Sequence, residues 1–141
     1  MLALENYVAN SRLEPSMLEL VRIRASQING CAYCIDMHTQ DARANGESEQ
    51  RLYALAAWRE TPFFTDRERA ALAWTEAVIH QGQAPDPIFA EVRELFSEGE
   101  LVDLTMAIVT INGWNRLAIA FRSVPGTYKS APRMNGPGEE Q

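Results

Sequence analysis

Apolar residues in this chain recur at steps of three and four, the period of a helix with one buried face, and nowhere sustain the alternation of a strand. Leu2, Leu4, Tyr7 and Val8 mark a short first helix ending near residue 11. Pro15 suits a first helical position and leads a second helix over 15–27, with Leu18, Val21, Ile23 and Ala25 as its apolar surface. A third is expected from about Cys31 to Ala44, where Asn45-Gly46 stops it, and a fourth from Ser48 to about Trp58, ended by Thr61-Pro62. Thr65 and Glu68 form a capping box for a fifth helix whose Ala70, Ala71, Ala73 and Ala77 imply close packing. Asp86-Pro87 reads as the N-cap and first residue of a sixth helix reaching Phe96. Ser97 and Glu100 cap a seventh, from about Leu101 to Phe121. The pattern predicts an all-α fold of six to seven helices in a single domain.

The seventh helix is apolar around most of its circumference, as Leu101, Leu104, Met106, Ile108, Val109, Leu117, Ile119 and Phe121 attest. It is therefore expected to be central or to lie at a subunit contact. Gly113 interrupts it at a cost of about 1 kcal/mol relative to Ala, which points to a close approach by another backbone. Asn112, Asn115 and Arg116 are polar groups in this apolar setting, expected to bond neighbouring helix ends or to cross an interface. Val124-Pro125-Gly126 ends the helix, so the domain is placed at 1–127 and a flexible tail rich in Pro, Gly and charge at 128–141.

Composition narrows the functional classes. A chain of 141 residues that is 46% hydrophobic and 23% charged suits one soluble globular domain with one core. Thirteen basic and nineteen acidic residues give a net charge of −6 with no dense Lys/Arg run, which argues against a nucleic-acid partner. No stretch approaches the roughly 20 apolar residues of a membrane span, and the start lacks the basic and apolar pattern of a leader, so a cytoplasmic location is expected. Two cysteines three apart in a reducing compartment favour a redox or metal role over a structural staple. His80, in the last turn of the fifth helix, reads as a surface or cap residue, and Trp58, Trp74 and Trp114 as core or interface residues.

Both cysteines and one of the two histidines fall within Asn29-Gly-Cys-Ala-Tyr-Cys-Ile-Asp-Met-His38. On a helix, Cys31, Cys34 and His38 stack along one face. Asn29-Gly30 is a turn signal that would fold the second and third helices into an antiparallel hairpin. Residues lie opposite one another when their numbers sum to about 59. Glu19 then faces Gln40, within a turn of His38, so a carboxylate, an imidazole and two thiols share one line. The carboxylate would orient the imidazole, which would take a thiol proton. Cys31 would also feel the helix N-terminus, which favours thiolate. Alternatively, Glu19 pairs with Arg22 as an ordinary ion pair.

Glu19, Cys31-x-x-Cys34 twelve residues on and His38 four further resemble the signature of the AhpD-like branch of the carboxymuconolactone decarboxylase family. The flanks Leu20-Val-Arg-Ile-Arg-Ala-Ser-Gln-Ile-Asn-Gly30 and Thr39-Gln-Asp-Ala-Arg-Ala-Asn-Gly46 agree, and Ile111-Asn-Gly-Trp-Asn-Arg116 with Arg122-Ser-Val-Pro-Gly126 is similar to a later block. The resemblance implies a thiol-dependent peroxidase without an organic cofactor. In it Cys34 is the peroxidatic thiol, Cys31 the thiol that resolves it to a disulfide, and His38 the base with Glu19 behind it. It further implies a peroxide substrate, an external dithiol reductant of dihydrolipoyl or thioredoxin type, and a homo-oligomer from dimer to hexamer. The family's best-known peroxidase has a histidine between its cysteines, where this chain has Tyr33. Three other readings stand beside this one: a lyase of the family's decarboxylase branch, a zinc site built on Cys31, Cys34 and His38, and a non-enzymatic oligomeric module.

Overall fold

A hairpin near the N-terminus frames the molecule, and local chemistry sets its shape. In the computed structural model, which describes residues 1–131, helix α2 (Pro15–Asn29) begins on its proline and ends at Gly30, whose φ of 73° reverses the chain. Glycine takes this left-handed conformation without steric cost. Helix α3 (Ala32–Ala44) follows at once, with Cys31 as its N-cap. A short α1 (Leu2–Ala9) precedes the hairpin. After it come α4 (Glu49–Ala54), a 3-10 segment (Leu55–Glu60), α5 (Asp66–Gln81), α6 (Asp86–Leu95) and α7 (Glu98–Ala120). The fold is all-α, with seven α-helices and no strand among the described residues. None of these helices is long and apolar enough to cross a membrane.

α2 is the buried pillar. Its Leu18 and Val21 join Leu101, Leu104 and Ile108 of α7 with Ala70 and Ala71 of α5 in one core cluster. Leu20 and Ile23 face a second cluster built from Leu52, Leu55, Trp58, Phe64 and Leu72. With both faces covered, the position and rotation of α2 are fixed by packing on either side. The alanine face of α5 packs closely as expected, with Ala70, Ala71, Ala73 and Ala77 all buried. Replacing Leu104, which is fully buried, by Ala should lower the unfolding free energy by about 2–5 kcal/mol in urea titration.

Both expected capping boxes are present, Thr65 with Glu68 and Ser97 with Glu100. Four details differ from the sequence expectation. The single helix expected over 48–58 breaks after Ala54 into a 3-10 segment, with Ala57 outside helical geometry at φ −122°, ψ 35°. Side chains three apart eclipse in a 3-10 turn, so Leu55 and Trp58 both reach the core. Pro85 rather than Asp86 is the N-cap of α6, and Asp86 is its first residue. Gly113 is approached by a side chain and not by a backbone: a Cβ there would lie 2.8 Å from the Met1 terminal methyl. α7 is not buried all round: Leu101, Leu104, Ile108, Ile111 and Asn115 face the core, whereas Val102, Val109, Leu117 and Ile119 are exposed.

One buried acid anchors α1. Asp103 of α7 accepts hydrogen bonds from the Tyr7 hydroxyl at 2.6 Å and from Arg12, through its backbone N–H at 3.1 Å and its guanidinium at 2.9 Å. This fixes the turn into α2 and the height of α1 beside it. Of the tail expected from 128 onward, residues 132–141 lie outside the described residues. Before them, the Gly126 N–H donates to Asp36 at 3.0 Å and the Tyr128 hydroxyl to Asp41 at 2.9 Å, which lays residues 126–128 against α3.

Candidate active site

The hairpin brings together the four groups that the spacing placed in a line. Glu19, buried on α2, lies with Oε2 2.9 Å from Nδ1 of the buried His38. Its other oxygen, Oε1, accepts from Arg22 Nη1 at 2.6 Å. The relay and the ion pair, posed as alternatives, therefore coexist, because a carboxylate offers one oxygen to each partner. Burial alone would raise the Glu19 pKa, but the hydrogen bond and charge of His38, with those of Arg22, outweigh it and hold the carboxyl below the usual range. An ionised Glu19 can only accept, so Nδ1 is the donor to it, and whenever the ring is neutral the lone pair is on Nε2.

The chain of contacts continues past Glu19. Arg22 Nη2 donates to Glu5 Oε1 at 2.8 Å, and Trp114 Nε1 donates to Glu5 Oε2 at 3.0 Å. Trp114, Glu5, Arg22, Glu19 and His38 thus form one continuous run spanning α7, α1, α2 and α3. The sequence does not single out Glu5, and it offers Trp114 only as a core or interface residue within the Ile111–Arg116 block.

The sulfurs of Cys31 and Cys34 are bonded to each other at 2.03 Å. Cys31 caps α3, its Sγ accepting the Cys34 N–H at 3.3 Å. The two positions differ in access. A cavity of about 600 Å3 is lined by Cys34 and His38, with Glu19, Arg22, Tyr33, Trp114 and Tyr128 among its walls, whereas Cys31 is not part of its lining. The turn that presents the cysteines is tied to α7. Asn29, the last residue of α2, donates through Nδ2 to both Asn112 and Asn115, at 3.0 Å for Asn115, and Asn115 donates to Ser26 Oγ at 3.0 Å. Asn112 and Asn115 thus bond a neighbouring helix end, as expected. Arg116 is exposed. So is His80, while Trp58 is a core residue.

A sequence model of the carboxymuconolactone decarboxylase family matches residues 1–77, which contain Glu19, both cysteines and His38. The uncharacterised protein YdfG of Bacillus subtilis is 47% identical over 122 residues, covering 85% of this chain and 83% of its own length. The chain belongs to the carboxymuconolactone decarboxylase family. Within it the AhpD-like branch is the one that fits, as a solved structure indicates. That structure is a protein of unknown function from Agrobacterium tumefaciens, provisionally named as the antioxidant defence protein AhpD. It is 46% identical with a TM-score of 0.84, and the match covers 90% of this chain and 88% of that one. The uncharacterised protein YnjA of Escherichia coli is 31% identical over 114 residues, which is 80% of this chain and 60% of YnjA. In this AhpD-like chain no group of three or more His, Cys, Asp and Glu side chains is arranged to hold a metal ion among the described residues.

Proposed function

We propose that the protein reduces organic hydroperoxides through a Cys31/Cys34 dithiol–disulfide couple, with His38 as the base and Glu19 orienting it. The observation that carries this reading is the shared cavity wall: Cys34 and His38 face the same space, and the His38 ring is held by Glu19 through Nδ1. The cavity is many times larger than hydrogen peroxide, which supports a peroxide bearing an organic group.

In the reduced protein, His38 Nε2 accepts the Cys34 proton, and the thiolate attacks one oxygen of the peroxide. The S–O bond forms as the O–O bond breaks, and the leaving alkoxide takes the proton from His38 to become an alcohol. Cys34 is then a sulfenic acid. Cys31 attacks the Cys34 sulfur, the S–S bond forms, and hydroxide leaves with a proton as water. The two electrons come from the dithiol, so a second dithiol, dihydrolipoyl or thioredoxin in type, must restore it. Its thiolate would attack Cys34, the sulfur in the cavity wall, and Cys31 would leave as thiolate. A helix N-cap that accepts a backbone N–H suits that leaving group. The reading includes a homo-oligomer, for which the exposed Val109, Ile119 and Phe121 of the α7 end offer an apolar contact.

Single-turnover stoichiometry tests it. Fully reduced protein, without external reductant, is expected to consume one equivalent of cumene hydroperoxide and to lose two free thiols per chain. Peroxide left unconsumed, or thiols that persist, would overturn the proposal.

A further inference from the structure

Charge inside the cavity bears on what can enter it. Among the described residues three carboxylates line it, those of Glu5, Glu19 and Asp41, with one guanidinium, that of Arg22, and the His38 imidazole. The Arg22 charge is already matched by two carboxylates, since Nη1 donates to Glu19 and Nη2 to Glu5. In the strap that follows α7, residues 121–131, the cations Arg122 and Lys129 are exposed and do not line the cavity. Among the described residues Asp41 differs from the other two acids in having a neutral partner, the Tyr128 hydroxyl, at 2.9 and 3.1 Å from its two oxygens.

Position along α3 gives Asp41 its bearing on the reaction. Cys34, Met37, His38 and Asp41 follow one another at helical steps of three, one and three, and all four line the cavity. At 1.5 Å per residue, Asp41 stands about 10 Å along the axis from Cys34. A ring-bearing group attached to a peroxide at Cys34 has that reach. We propose that the cavity admits uncharged hydroperoxides and rejects anionic ones, and that Asp41 is the residue that sets this selection. This deepens the proposed peroxidase activity and rests on it. The Tyr128 hydroxyl reports the same field: burial, the Asp41 hydrogen bond and the charges of Asp41 and Glu19 push its pKa up to about 12.

Two measurements test the selection. The first compares kcat/KM for cumene hydroperoxide and its para-carboxylate analogue. Wild type is expected to favour the neutral compound at least about tenfold. Asp41→Asn should narrow the ratio several-fold, and Tyr128→Phe, which loosens the strap but keeps the charge, should leave the ratio in place. The second measures binding of the corresponding unreactive alcohols by quenching of Trp114 fluorescence, with Trp114→Phe as the blank. Neutral alcohol bound in preference to the carboxylate, with no peroxide consumed, would retain the selection and sink the peroxidase reading. Equal binding of the two alcohols, preference for the carboxylate, or binding of neither overturns the selection. A preference untouched by Asp41→Asn removes that residue from it.

Discussion

Reduced protein carrying Cys34→Ser is expected to consume no peroxide, a fall of at least about a thousandfold in rate, because the attacking atom is gone. Cys31→Ser should behave differently. It is expected to consume one equivalent, stop, and hold a sulfenic acid on Cys34 that dimedone traps. Two physical effects compete over which sulfur attacks. The N-cap position, where a backbone N–H already points at Cys31 Sγ, favours thiolate on Cys31. Access favours Cys34, which lines the cavity while Cys31 does not. A thiolate without a path to the peroxide cannot react, whereas a thiol beside a base can be deprotonated as it attacks, so access decides. Dimedone labelling on Cys31 in the Cys34→Ser protein, with peroxide consumed, would reverse the assignment.

The α2–α3 hairpin was legible in the sequence because each of its determinants is local. Pro15 starts a helix, Gly30 reverses the chain, and two helices joined by so tight a turn must run antiparallel, which fixes Glu19 opposite the His38 turn. What was not legible depends on which helix lies across the site. Glu5 and Trp114 are 109 positions apart and meet because α1 packs along α7, with Val8 in the core and Asp103 bonded to Tyr7 and Arg12. The Pro- and Gly-rich surroundings of Tyr128 predict a tail, whereas its bond to Asp41 spans 87 positions. The break after Ala54 has the same origin. The helical period of 48–58 is intact, and the demand that Leu55 and Trp58 both reach a core formed by other elements overrides it. The pairing of Glu19 with both Arg22 and His38 shows a further limit, since spacing ranks partners singly whereas a carboxylate accepts two.

Glu19→Gln is expected to slow peroxide reduction about a hundredfold while the protein remains helical. A neutral amide can turn either its oxygen or its NH2 toward His38 Nδ1. It therefore neither enforces the tautomer with a basic Nε2 nor stabilises the ring once protonated. Arg22→Met removes the clamp on Oε1 and leaves Glu19 free to rotate, so a smaller loss is expected, with partial recovery in Arg22→Lys. Stability measured against pH separates this effect on catalysis from damage to the fold. The Glu19 pKa is lowered in the folded protein, so its contribution is present above the unfolded carboxylate value of about 4.3 and is lost as pH falls through the folded one. Loss of a buried, charge-assisted hydrogen bond should leave the Glu19→Gln protein about 1–3 kcal/mol less stable than wild type at pH 7. That gap should close as the solution is acidified, because protonated Glu19 resembles Gln. A gap that is constant with pH, together with wild-type turnover, would mean that the residue 19 carboxylate serves packing alone and that His38 is oriented by other means.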